Sequence, residues 1–352
     1  MNGRHSRGAA TLHPFAKHLI NRTLVAVVTL LIAFNISYLL LRAIPASAVD
    51  AMLAAFAQLG QRLDPEDYMK MRQTLMELFG LVGSPMDQYI MYLRRFFSLD
   101  FGPSFITFPT PAREIVGRYL PWTVGLLLVT TVISWIAGNT LGVFVSFVRN
   151  KRLSRALENV AIVLYPIPYY VLSLALIYIF AFIIPIFSLS PASIPHIRIA
   201  SISDIINVAL YFLRASSLPA LSIIVISAFG WWFLSSRTLS ISIVTEDYVS
   251  FAKLRGVDIG RIRGKYVLRS VMVPQVTALA LALGNIFSGA LVTEYIFAYP
   301  GLGSLLYESI ILGDYPIALT ILSLSIMGVI ISMWLLDTVV YYVLDPRIRY
   351  AR

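Results

Sequence analysis

Along this chain long apolar runs alternate with short polar ones, and six of the runs reach or pass the roughly 20 residues a helix needs to cross about 30 Å of hydrocarbon. They predict membrane-spanning helices over 23–44, 121–148, 159–187, 218–243, 274–299 and 316–344. At this length and apolarity a helix satisfies its own backbone in lipid, where an open strand does not. The polar remainder divides into a tail (1–22), a long excursion (45–120), loops at 149–158, 188–217, 244–273 and 300–315, and a short end (345–352). The expected fold is therefore an all-α polytopic membrane protein with a helical insertion between its first and second spans.

The long excursion carries its own helix signals. Asp64-Pro65 and Ser84-Pro85 each set a capping side chain before a proline at the first helical position, with Asp67 and Asp87 at the third. The first helix places Tyr68, Met71, Leu75 and Leu78 on one face and stops at Gly80; the second places Tyr89, Leu93 and Phe96 together. Ala46-Ser47-Ala48 resembles a signal-cleavage site, but the preceding apolar run is longer than the usual 7–15 residues of a signal core. Pro166 and Pro168 are expected to kink the third span. A short helical piece is expected around 204–213, and Gly138 and Gly142 make a small-xxx-small pair suited to close helix packing.

Charge orients the spans. The 149–158 loop has four basic residues and one acid, the 244–273 loop is basic, and Arg347, Arg349 and Arg352 close the chain. The 300–315 loop on the other side has Glu308 and Asp314 and no base. In the excursion, seven bases face eight acids. Basic loops stay in the cytoplasm, so six spans put both termini inside and the excursion outside.

Composition agrees: 58% of residues are hydrophobic, 13% are charged, and the mean hydropathy is +0.78. The net charge of +10 lies in loops rather than in an aromatic-and-basic nucleic-acid surface. There is no cysteine, and three of the four histidines, His5, His13 and His18, lie in the tail. Metal and thiol sites are thus not expected. No phosphate-binding G-x-x-x-x-G-K-[ST] appears; Gly256, Gly260 and Gly264 are spaced by four, and Lys265 is followed by Tyr266. Nor does the chain offer a nucleophile elbow or a close carboxylate pair within a span, so an enzyme is not expected.

The polar island at 246–274 stands out. Tyr248, Phe251, Ala252 and Arg255 repeat at helical spacing before Gly256, and Ile259, Ile262 and Tyr266 after it, with Asp258 as N-cap. Two short amphipathic helices hinged at Gly256 form a surface suited to a cytoplasmic partner. Inside the spans, Glu294 lies about six residues, roughly 9 Å, from Pro300. An isolated carboxylate in lipid costs about 2.5–3.5 kcal/mol, so Glu294 is expected to face a cavity or a cation, a neighbouring subunit included. Trp231, beside Trp232 in mid-span, and Phe297 join Glu294 as candidates for a translocation pathway. Arg237 and Asp337 are read as snorkelling or locally paired.

The run Asp247-Tyr248-Val249, Ala252, Gly256, Leu268-Arg269, Pro274, Glu294, Phe297, Pro300-Gly301-Leu302-Gly303, Asp314-Tyr315-Pro316 and the ending Leu344-Asp345-Pro346-Arg347-Ile348-Arg349-Tyr350 resembles ABC-importer permeases. It is most similar to the first permease subunit of the dipeptide and oligopeptide branch. A second patch, Gln88-Tyr89, Asp100-Phe101-Gly102, Ser104-Phe105 and Leu120-Pro121, resembles that family's external segment. Where the family usually has a Pro-Gly-Asp-Pro turn this chain has Pro45-Ala46-Ser47-Ala48, and 49–79 matches poorly and looks expanded.

The resemblance implies the six-helix type I importer permease fold in the plasma (inner) membrane. It implies that the Gly256 loop docks on an ATPase, with a coupling helix at about Asp258 to Leu268. The partners it implies are a homologous second permease, two ATPase subunits that hold ATP and Mg, an extracytoplasmic solute-binding protein and membrane lipid; no cofactor is bound by this chain. The cargo implied is peptide. Oligosaccharide or another small solute on the same machinery, or a channel without a motor, are the alternatives.

Overall fold

The computed structural model describes residues 14–42, 49–50, 53–54, 64–78, 80, 82–187, 201–288 and 290–344. The tail before residue 14, the Ala46-Ser47-Ala48 site, most of the expanded 49–63 stretch, 188–200 and the ending after Leu344 lie outside these residues. Among those described there is no strand, only an isolated bridge between Pro103 and Pro111. Five helices are long and apolar enough to cross a membrane: Ala16–Leu39, Ala112–Ser146, Ile202–Val244, Ile259–Gly284 and Tyr315–Thr338. A bent pair, Lys151–Leu164 with Tyr169–Ile183, makes a sixth if counted as one span.

The Ala112–Ser146 helix is central because its glycines let the 202–244 helix touch its backbone. A Cβ on Gly138 would sit 2.5 Å from the Ala228 carbonyl oxygen, and one on Gly142 would sit 2.6 Å from that of Phe233. Ser236 Oγ donates to the Asn139 carbonyl at 3.2 Å in the same seam. The Trp135 indole N–H reaches the Gln275 carbonyl at 3.0 Å, and Gln275 Nε2 reaches Ser235 Oγ at 2.7 Å. The Ile259–Gly284 helix is thereby tied to both. Gly142→Ala is expected to cost about 1–3 kcal/mol through overpacking. Gly117→Ala, with open space around its Cβ, should cost nothing. Thermal unfolding of both variants in detergent checks the contrast.

Several boundaries differ from expectation. The helix drawn from Pro121 begins at Ala112 and carries Pro121 inside it. The loop drawn over 149–158 is helical from Lys151, where the Asn150 side chain accepts from the N–H groups of Arg152 and Leu153. The short piece expected at 204–213 is the start of an unbroken helix from Ile202. The helix drawn from Pro274 begins at Ile259 and ends at Gly284. Proline costs an interior helix one hydrogen bond, yet the helices run on through Pro121, Pro219 and Pro274, of which Pro219 is buried and the other two are exposed. At Pro166-Ile167-Pro168 two bonds are lost within one turn, and the axis bends by 99°.

The first half of that bent pair runs antiparallel to Phe233–Val244. Ala161 packs on Phe233, and Glu158 meets Arg237 Nη1 at 2.7 Å. Arg237 is therefore locally paired, and so is Asp337, which lies 3.2 Å from Arg22. The first and last helices pack together along with Phe34 and Leu319.

Between the first two spans, helices Pro65–Leu78 and Pro85–Ser98 appear where the capping signals place them. Ser84 and Asp87 form a reciprocal capping box, and the Ser84 hydroxyl and N–H hold the Asp87 carboxyl below the usual carboxylate range. The second helix rests on the first span through rings: Phe34 lies 5.1 Å from Tyr92 and 5.2 Å from Phe96. The first buries Leu75 against Val49 and Leu53, while Arg72 Nε donates to Asp50 at 2.7 Å.

Candidate functional site

The island begins with the helix Asp247–Leu254. It ends because Gly256 takes φ +73°, a left-handed conformation that few side chains tolerate. Asp258 caps the next helix, its Oδ2 accepting from the Arg261 N–H at 3.2 Å. That helix is not a separate second amphipathic piece. It runs through a π-helical stretch, Ile262–Val267, directly into Leu268–Gly284, so the segment from Asp258 to Leu268 is the N-terminal end of a span helix.

The faces of the island also differ from the sequence pattern. Ala252 is buried with Val249, Ile262, Val267 and Val271 against Val143 at the end of the central helix, and Tyr266 packs on the same cluster. Tyr248, Phe251, Leu254 and Ile259 are exposed, Leu254 to 87%. Spacing groups residues on a helix, but it does not say which face the rest of the protein covers. Tyr248 Oη lies 3.0 Å from Ser270 Oγ, and Arg255 lies over the Phe251 ring at 5.6 Å. The island therefore presents an apolar knob edged by cations, bolted by small residues to three helix ends.

A second feature lies within the membrane region. Three helix interruptions converge: the break at Tyr165–Pro168, the π-helical turn Ala228–Trp232, and the 3-10 turn Asn285–Ser288. Around them is an open cavity of about 760 Å³. Irregular backbone at membrane depth is tolerated where protein covers it or it lines a wet cavity. Trp231 is on this wall, with its ring nearly parallel (25°) to that of Tyr165 at 6.4 Å.

Glu294 and Phe297 are not on it. Glu294 is fully buried in the short helix Leu291–Ile296, and faces neither a cavity nor a cation. Its Oε2 accepts the Gly303 N–H at 2.6 Å, and Thr123 and Ser304 lie beside the same carboxylate. Thr123 Oγ1 in turn accepts the Leu302 N–H at 2.7 Å. These are the free N–H groups at the start of helix Leu302–Ile311, which welcome negative charge. Phe297 packs against the cluster of Trp122, Leu126, Ile223 and Tyr299.

The cavity residues missed in the sequence are Tyr165, Tyr169 and Tyr170, which flank the proline pair that does signal the break. Among the described residues, no group of three or more His, Asp or Glu side chains could hold a metal ion.

Comparison with known proteins adds the family. Residues 138–350, which include both the island and most of the cavity wall, match the model of the binding-protein-dependent transport system inner membrane component. The dipeptide transport system permease protein DppB of Bacillus subtilis is 27% identical over 335 residues, 95% of this chain and 98% of that protein. The oligopeptide transport system permease protein AppB of the same bacterium is 25% identical, covering 95% and 100%. The glutathione transport system permease protein GsiC of Shigella flexneri is 28% identical, covering 95% and 99%.

Proposed function

From a chain that belongs to the family of binding-protein-dependent transport system inner membrane components, we propose a permease that carries peptides through the inner membrane in one half of the translocation path. The protein is a multi-span transport subunit, not an enzyme, of a system that includes ATPase and binding-protein components. The finer assembly we infer is a related second permease, two ATPases holding ATP and Mg, and a binding protein on the outer face. Both termini and the island then lie in the cytoplasm, where the basic loops favour them.

The observation that carries this reading is the exposed island knob. Phe251, Leu254 and Ile259 have no partner in the fold that needs them, whereas Val249, Ala252 and Ile262 hold them in place. Docked in an ATPase groove, the knob moves when two ATPases close on ATP. Because the second half of the island, from Ile259, is the beginning of the Ile259–Gly284 helix, that motion passes into the span along a continuous rod. The far end of the rod reaches the cavity at Asn285. Closure opens the path outward, and hydrolysis with product release reverses it.

Peptide is favoured as cargo because peptide systems recur among the relatives. The test is ATPase activity of the complete complex in lipid with its binding protein loaded with short peptides or with oligosaccharides. Stimulation by the peptide-loaded protein alone is expected. Stimulation by oligosaccharide alone would reassign the cargo, and uptake without stimulated hydrolysis would leave a channel.

A further inference from the structure

The cavity has a wall chemistry that carries further than its role as part of a path. Tyr165 is 53% exposed and Trp231 51%, while the neighbouring Trp232 is 3% exposed and belongs to the core. The Tyr165–Trp231 pair is thus not consumed by packing; it is held open. Gly230 makes the pair possible, since a Cβ there would press at 3.2 Å on the Tyr165 backbone. Tyr169 and Tyr170, each 42% exposed, extend the ring surface past the proline break.

Among the described residues the same wall contains no Asp, Glu, Lys, Arg or His; its polar side chains include the neutral Thr131 and Ser227. A carboxylate or ammonium entering it gains no partner for the water it gives up. A ring or apolar side chain gains contact with aromatic faces. We propose that this cavity is a selective subsite that takes the aromatic or apolar side chain of an uncharged stretch of passing peptide, with Tyr165 and Trp231 setting the preference. The permease then adds a selection of its own to that of the binding protein. This rests on the peptide reading above.

The test is uptake into vesicles holding the complete complex, supplied with its binding protein and either of two tripeptides that differ only in a central Phe or Ala. The binding protein contributes equally to wild type and variant, so the change in the uptake ratio reports the permease wall. For Trp231→Ala the Phe-to-Ala ratio is expected to fall about fivefold, the size of one aromatic contact, and Trp231→Phe should restore most of it. Tyr165→Ala should act in the same direction, so an assembly failure of one variant leaves the other to decide. Equal losses for both peptides, or an unchanged ratio, would overturn the subsite while leaving peptide transport standing. A wild-type complex that moves neither peptide would overturn the peptide reading and the subsite with it.

Discussion

Gly256→Val is expected to cut uptake at least tenfold while the complex still assembles and hydrolyses ATP. The reason is handedness rather than space. No atom lies within 4 Å of a Cβ placed at Gly256, so a larger side chain meets nothing, but φ is +73°. For an L-residue that conformation costs roughly 1–2 kcal/mol, more for a β-branched one, and 1.4 kcal/mol is a factor of ten. The strain is relieved by letting Asp247–Leu254 swing off its Val249–Ala252 anchor, which moves the knob away from its groove. Gly256→Asn, which enters the left-handed region more readily, should keep most of the uptake. Parallel assays of uptake and ATPase in vesicles decide it. A Val variant with full transport would refute this account of the loop, and an Asn variant as damaged as Val would show that bulk is what matters.

Glu294→Ala should be the most destabilising single change around the Leu302–Ile311 helix. It leaves the Gly303 N–H without its acceptor, inside protein and away from water. Each buried donor left unsatisfied costs about 1–3 kcal/mol, and the missing carboxylate leaves a void as well. Glu294→Gln keeps one acceptor oxygen and should lose far less. The same geometry accounts for the glycines of Pro300-Gly301-Leu302-Gly303. A Cβ on Gly301 would stand 2.7 Å from Glu294 Oε1, and one on Gly303 would stand 2.8 Å from Oε2. Thermal unfolding of the two Glu294 variants in detergent should separate them clearly. Matching transitions would mean that the carboxylate does not cap this helix.

Motifs remote in the sequence prove to be parts of single contacts. Ser104 hydrogen-bonds to Asp314, and Asp314 Oδ2 also accepts the Ile106 N–H at 3.2 Å. The Asp100–Phe105 patch and the Asp314-Tyr315-Pro316 run are thus two sides of one joint at the start of the last helix. Leu120-Pro121 likewise precedes Thr123, whose hydroxyl accepts the N–H of Leu302 between the paired glycines. Linear spacing shows that such patches exist; only folding shows that they touch.

Much was legible before any coordinates. Apolar runs of about 20 residues have one solution in lipid, so the spanning helices and the two capped helices between the first two spans follow from local composition and capping chemistry. Gly138 and Gly142 announced a close seam, Pro166 and Pro168 a break, and Gly256 a hinge. Tertiary structure decided what local pattern leaves open. Whether a proline ends a helix is one such question: the chain stays helical through Pro121 and Pro274 and breaks at Pro166 and Pro168. Which island side chains face outward depends on where Val143 stands, a residue far away in the chain. Glu294 looked like a pathway charge because a carboxylate in a span needs a partner. Its partner is the Gly303 backbone N–H, a group that every residue but proline carries and no sequence pattern distinguishes.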